Sequence, residues 1–288
     1  MARALPVAAV QAAPRPAGGP LAGFAADVEG VARRVPQAQL LVYPELHLHG
    51  GAATAEEYRA VAEPLSGPRL RDLAALAGDL GVWLVPGSVC ELGPGGELYD
   101  TAVVLSPEGQ LAASYRKVFP WRPHEPFDAG DAFVVFDLPG VGRAGLTVCY
   151  DAWFPEVTRH LAWMGAEVVL NVVKTTTCDR PQEVVLARAH AIMNQVFVVS
   201  VNAAGPEGTG QSVIVDPEGL VRVHAATDAT VLTDVLDLDH VPRVRTYGTV
   251  GLTRPWAPFR PGDPPLALPL YAGRIDPDTW TPAATPVT

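Results

Sequence analysis

Apolar residues along the chain fall into short blocks of two kinds, unbroken runs of strand length and longer stretches with helical spacing. Residues 6–10 form an unbroken run of small and branched side chains, with a proline where a strand tolerates one, at its first residue, and Pro14 to end regular pairing. Over residues 21–34, Phe24, Val28 and Val31 recur at helical spacing, and residues 40–43 follow as a second strand. Helices over 55–62 and 68–80 and a strand over 82–90 come next. The turn formers Gly93-Pro94-Gly95-Gly96 and Ser106-Pro107-Glu108-Gly109 bracket strands over 98–105 and 110–116. Further strands are expected at 143–149, 167–173 and 196–202, with helices at 154–165 and 181–194 between them. A second hairpin, 211–215 and 220–225 across Asp216-Pro217-Glu218-Gly219, precedes a last strand at 231–236.

Alternating strands and helices, interrupted by two hairpins, predict an α/β fold with mixed sheets. So many apolar strands are most simply buried by two sheets with helices outside them. From about residue 256 the chain is rich in proline and loses periodicity. One domain over 1–255 is therefore expected, with 256–288 an extension that packs on that domain or on a neighbouring subunit.

Composition narrows the function. At 288 residues the chain can bury one large core, and its formal charge of -10 argues against a nucleic-acid partner. No apolar run approaches the roughly 18 residues that span a bilayer, so no membrane association is expected. The small-residue start is interrupted by Gln11 and reads as a strand rather than a leader. Cys90, Cys149 and Cys178 are too few and too scattered for a disulfide framework or a zinc site, which points to a reducing, cytoplasmic setting. Only two lysines, Lys117 and Lys174, occur in a chain that otherwise uses arginine.

Three expected strand ends each carry one reactive group: Tyr43-Pro44-Glu45, Tyr115-Arg116-Lys117 and Cys149-Tyr150-Asp151. Strand ends of an open α/β sheet converge on a crevice. Taken singly, Glu45 and Lys117 are equally ordinary solvent-facing charges, and Cys149 an ordinary buried hydrophobe. A position between strand and helix favours Cys149 as a reactive thiol, because backbone N–H groups at a helix start lower a thiol pKa and can hold an oxyanion. Cys90 reads as core. His47, His49 and His124 lack the spacing of a zinc set and are expected in a hydrogen-bonded pocket wall, His124 foremost. Lys174 and Cys178 follow the strand at 167–173, either contacting substrate or lying in a surface loop.

Together, these motifs and Phe154-Pro155-Glu156 resemble the nitrilase, or carbon-nitrogen hydrolase, superfamily. The likeness runs from Ala8-Ala9-Val10-Gln11-Ala12-Ala13-Pro14 through Tyr99-Asp100-Thr101-Ala102 to Gly210-Gln211-Ser212. Lys117-Val118-Phe119-Pro120-Trp121-Arg122-Pro123-His124-Glu125 is similar to the aliphatic amidase and formamidase branch, as are Ala187-Arg188-Ala189 and Val201-Asn202-Ala203-Ala204-Gly205.

The resemblance implies a four-layer αββα sandwich, no metal or organic cofactor, and a homodimer or larger homo-oligomer. It implies hydrolysis of a small-molecule amide through a thioester on Cys149, with Glu45 as general base and Lys117 as oxyanion stabiliser. Glu125 would position Lys117 or substrate, Trp121 would line the acyl pocket, and Tyr150 would offer its backbone N–H. Trp153 stands where some relatives carry an arginine for a substrate carboxylate, which argues against dicarboxylic monoamides. Rival expectations are an N-carbamoyl hydrolase or acyltransferase using the same thioester, then a nitrilase, disfavoured by Tyr150-Asp151 in place of Trp-Glu, and a non-catalytic binding protein of the same fold.

Overall fold

The computed structural model describes residues 3–268 and 270–274. In chain order the elements are β1 (Ala4–Gln11), α1 (Leu21–Arg34), β2 (Leu40–Val42), α2 (Ala55–Val61), α3 (Pro68–Leu80), β3 (Trp83–Val85), β4 (Ser88–Leu92), β5 (Leu98–Leu105) and β6 (Leu111–Arg116). They continue with β7 (Val135–Leu138), β8 (Gly142–Val148), α4 (Pro155–Trp163), β9 (Val168–Val173), α5 (Arg180–Asn194), β10 (Phe197–Asn202), β11 (Val213–Val215), β12 (Val221–His224), β13 (Thr230–Asp237) and α6 (His240–Tyr247). Residues up to Pro255 make one compact unit and those from Trp256 another. Of the expected extension, residues 275–288 lie outside the described residues.

Two mixed sheets form the centre, in the α/β arrangement expected. The first runs β13-β1-β2-β3-β5-β4, with β6 also paired to β5; the second runs β12-β11-β10-β9-β8-β7. Strand periodicity divides each strand between two cores. Leu5, Val7 and Ala9 of β1 meet Leu146, Leu170 and Val199 of the opposite sheet in the inter-sheet core. The intervening Ala8 and Val10 pack instead with Phe24, Val28 and Val31 of α1 and Leu70, Leu73 and Ala77 of α3. On the other side, Gly145 leaves the space that Leu161 of α4 fills, since a Cβ there would lie 3.1 Å from that side chain. Strands apolar on both faces are what helices on both outer surfaces require.

Local chemistry explains the helix boundaries. Thr54 caps α2, accepting from the Glu57 N–H while the Glu57 carboxylate accepts from Thr54 N–H, and Pro68 opens α3 where its missing N–H costs nothing. Gly81 ends α3 at φ 64°, in the left-handed region.

The structure corrects several expectations. The strand anticipated over 82–90 is two strands, β3 and β4, parted by Pro86 and Gly87, and β5 lies between them in the sheet. Proline offers no N–H to a ladder and Gly87 turns the chain at φ 94°. Pro6 lies inside β1 rather than at its start; pairing to β2 begins only at Val7. The short strand β7, the helix α6 and a 3₁₀ turn at Cys149–Trp153 have too few residues for periodicity to reveal.

Gly87 also sets where Glu45 sits. A Cβ on it would fall 1.7 Å from the Pro44 carbonyl oxygen, so the chain bearing Glu45 passes directly over it. Gly87→Ala is expected to lower unfolding free energy by more than about 1 kcal/mol in urea titration, with the loss of any Glu45-dependent activity.

Candidate active site

Glu45 follows β2, and its turn is pinned at several points. Tyr43 N–H donates to Val85 O at 2.8 Å, and Leu46 N–H donates to Ser88 Oγ at 2.9 Å. Leu46 has φ 47°, a left-handed backbone that costs a side-chain-bearing residue about 1–2 kcal/mol. These bonds hold Glu45 inward, 1% exposed.

Lys117 follows β6, its N–H bonded to the Asp100 carbonyl at 2.9 Å, and has no solvent exposure. Its Nζ donates to Glu45 Oε1 at 2.8 Å and to Glu125 Oε1 and Oε2, each at 2.8 Å. Glu125 closes a turn over residues 121–125: its N–H donates to Trp121 O, and its Oε2 accepts from Trp121 N–H, both at 2.9 Å. The structure thus brings together the three charged residues singled out from the sequence.

Cys149 opens the 3₁₀ turn after β8 at φ 45°, a second strained position beside the cluster. Asp151 holds that turn: it accepts from Val148 N–H at 3.0 Å, from Phe119 N–H at 2.9 Å and from the Tyr115 hydroxyl at 2.7 Å. One carboxylate therefore ties the cysteine turn of one sheet to the lysine strand of the other. Burial raises its pKa to about 6 against the pull of these three donors and Lys117. The Cys149 thiol lies near enough to Glu45 to help lower its pKa, and its sulfur is 3.9 Å from Thr175 Oγ1.

The charges settle as a coupled set. Burial opposes the Lys117 charge, but Glu45, Cys149, Glu125 and Asp100 together hold its pKa well above the ordinary value. Burial likewise pushes Glu45 up, and the Lys117 charge, with the polar groups of Asp100, Lys117 and Cys149 beside it, outweighs burial and holds the carboxyl below its ordinary value. Burial and the Glu45 charge raise the Cys149 thiol well above its usual value despite Lys117. This reverses the expectation of a thiol lowered by its helix-start position: although the residue is half-buried, protein crowds its sulfur and a carboxylate faces it. At rest the pair is thiol and carboxylate, poised for transfer of one proton.

Other anticipated residues scatter. Trp121 is half-buried, and the ring of exposed His124 lies 4.2 Å from it. Tyr150 and Trp153 are half-buried with ring centroids 6.3 Å apart, and Tyr150 also meets Phe154 edge-on at 5.4 Å. The Lys174 ammonium pairs with Glu207 at 2.8 Å, and among the described residues it makes no bond to the cluster; Thr175 is what the end of β9 presents to Cys149. Cys178 is exposed and Cys90 buried. His47 and His49 are core residues rather than pocket wall: His47 packs on Phe24 and Tyr43, and His49 Nε2 accepts from Cys90 N–H at 3.2 Å. Burial holds His47 near a pKa of about 4 and His49 near about 3.

Residues 6–246 match the carbon-nitrogen hydrolase family model. The chain belongs to the carbon-nitrogen hydrolase family. It is 34% identical over 200 residues to a formamidase of Bacillus cereus, a match covering 66% of this chain and 59% of that protein, so it spans about three-fifths of the length of the curated relatives it matches. Among solved structures, Nit3 of Saccharomyces cerevisiae, a nitrilase superfamily member, superposes with TM-score 0.77 at 25% identity, covering 84% of this chain and 93% of that one. A cysteine-to-alanine variant of the amidase of Nesterenkonia sp. AN1, in complex with butyramide, superposes with TM-score 0.69 at 30% identity over 84% of this chain and 94% of that one.

In this member of the carbon-nitrogen hydrolase family, sequence reasoning left five polar residues without a role. Asp100 is the lone acid in an apolar strand, a pattern that could have drawn notice. Asp151 stood inside a quoted motif but went unassigned. Thr175 Oγ1 donates to Glu183 at 2.7 Å, and Glu183 is bound by the buried Arg180 at 2.9 Å; only the fold brings these under Cys149. Asp151→Ala would leave the Val148, Phe119 and Tyr115 donors without an acceptor, and thermal or urea unfolding is expected to show a loss of at least about 2 kcal/mol.

Proposed function

We propose that the protein hydrolyses small-molecule amides to a carboxylic acid and ammonia or an amine, through a thioester on Cys149. The observation that carries this is one buried ammonium, Lys117, held at 2.8 Å by both Glu45 and Glu125, with the Cys149 thiol close enough to Glu45 for each to shift the other's pKa.

In this reading Glu45 takes the thiol proton as Sγ bonds to the amide carbonyl carbon. Charge moves to the carbonyl oxygen, which Lys117 Nζ and the Tyr150 N–H receive; losing one such donor typically costs about 3 kcal/mol of barrier. Lys117 exchanges one of its carboxylate bonds for this oxyanion, and Glu125 keeps the ammonium in place. The tetrahedral adduct collapses, the carbon–nitrogen bond breaks, and Glu45 gives its proton to the departing nitrogen. Water then loses a proton to Glu45 as its oxygen attacks the thioester, and the thiolate leaves and recovers that proton.

Tyr150 and Trp153, with the stacked Phe119 and Phe154 rings, put aromatic surface at the cysteine turn, and Trp121 follows Phe119 in the chain by two residues. That surface suits short aliphatic acyl groups, in line with a formamidase and a butyramide-binding amidase as relatives. Lys174 is paired with Glu207 and, among the described residues, makes no bond to the Lys117 cluster. Val185, Ile192 and Met193, exposed along α5, favour a homo-oligomer, which light scattering would measure. Free-thiol chemistry suits the reducing cytoplasm.

Incubation with simple aliphatic amides is expected to release ammonia and free acid, with an acyl adduct visible by intact mass on the wild type and none on Cys149→Ala. Glu45→Gln is expected to slow both acylation and thioester hydrolysis by at least about 100-fold. Unchanged turnover in either variant would remove that residue from the mechanism. Carbon dioxide or a new amide among the products would indicate carbamoyl hydrolysis or acyl transfer.

A further inference from the structure

Asp100 lies on β5 with no solvent exposure, paired across the sheet with Cys90. The nearest cation is Lys117 Nζ, 3.8 Å from Asp100 Oδ2 and outside hydrogen-bond distance. An ammonium has three hydrogens. Those of Lys117 are directed at Glu45 and at the two adjacent oxygens of Glu125, all at 2.8 Å, and Asp100 stays beyond their reach. Among the described residues no N–H or hydroxyl donor reaches either Asp100 oxygen; its close polar partner is the Glu45 carboxylate. Two carboxyl groups in contact form a stable hydrogen bond only if one carries a proton, and an unpaired buried anion is costly.

We propose that Asp100 is a protonated carboxylic acid at neutral pH, donating its hydrogen to Glu45 and thereby acting as the positioning residue that aims the Glu45 carboxylate at Cys149. The groups facing Asp100 are Glu45 beyond β2, Lys117 and Tyr115 from the β6 strand and its end, Glu125 from the 121–125 turn, Cys90 from β4 and Tyr58 from α2. Of these only Lys117 favours the ionised form. Burial above all, then Glu45 and Glu125, raises the Asp100 carboxyl well above the ordinary carboxylate range against the pull of Lys117. Bonded both to Lys117 and to Asp100, the Glu45 carboxylate is held against rotation away from the sulfur. Asparagine has the same shape and carries a permanent N–H donor, so it can replace the acid in this role.

The catalytic part of this inference rests on the proposed amide hydrolysis; the location of the proton does not. The test compares Asp100→Asn, Asp100→Ala and wild type in two measurements. With an aliphatic amide, Asp100→Asn is expected to keep kcat within about threefold of wild type, and Asp100→Ala to lose more than tenfold. Equal and severe losses in both would overturn the positioning role. In urea unfolding between pH 5 and 8, a carboxyl with a raised folded-state pKa contributes stability that is complete below the unfolded value of about 3.9 and is lost as pH rises. The stability of Asp100→Asn relative to wild type should therefore grow with pH over that window. A gap that stays constant or narrows would mean an ionised Asp100 and would sink the proposal. If no form turns over any amide, the proposed function fails, while the unfolding slopes still locate the proton.

Discussion

A primary ammonium shut away from water stays charged only if its hydrogens meet acceptors, and the cluster of buried polar side chains around Lys117 is arranged to meet that requirement. Glu45 and Glu125 supply the acceptors from two separate loops, so the lysine fixes both carboxylates as firmly as they fix it. Breaking such a buried pair from one side leaves an uncompensated charge, which is far more damaging than the pair is stabilising. The arrangement is thus better understood as a constraint on geometry than as a source of stability. It keeps a carboxylate ionised beside a thiol in surroundings that would otherwise neutralise it.

The backbone meets the same constraint with local strain. Leu46, one residue past Glu45, and Cys149 itself both have left-handed backbone without being glycine. Each is held by bonds to neighbouring structure, Leu46 through Ser88 and the Cys149 turn through Asp151. Asp151 matters because its three donors come from both sheets, making the distance between Cys149 and Lys117 a property of the sandwich rather than of either loop.

Behind the cysteine a second polar layer replaces apolar packing. On the helix-facing side of the second sheet Asn171 donates to Thr147 at 2.9 Å, Ser200 to Asn171 at 3.1 Å, and Arg180 to Ser200 at 3.2 Å. Arg180 and Glu183 then reach Thr175 beside the thiol. Apart from Arg180 Nε, which has no partner, the side chains of this chain of bonds satisfy one another, where an apolar floor would leave the Thr175 hydroxyl without a partner.

The amino-acid sequence by itself determined the α/β class, most strand and helix positions, and the motifs around Glu45, Lys117, Glu125 and Cys149, because periodicity and short motifs are local properties. It could not reveal that β3 and β4 flank β5, since strand order depends on pairing between distant residues. Nor could it separate Lys174 from Lys117: both follow apolar strands, and only the fold gives one to Glu207 and the other to the carboxylate cluster. The raised thiol at Cys149 had the same origin. A helix start lowers a thiol pKa when considered alone, but burial and the charge of Glu45, 104 positions away in the chain, prevail once tertiary structure brings them to the sulfur.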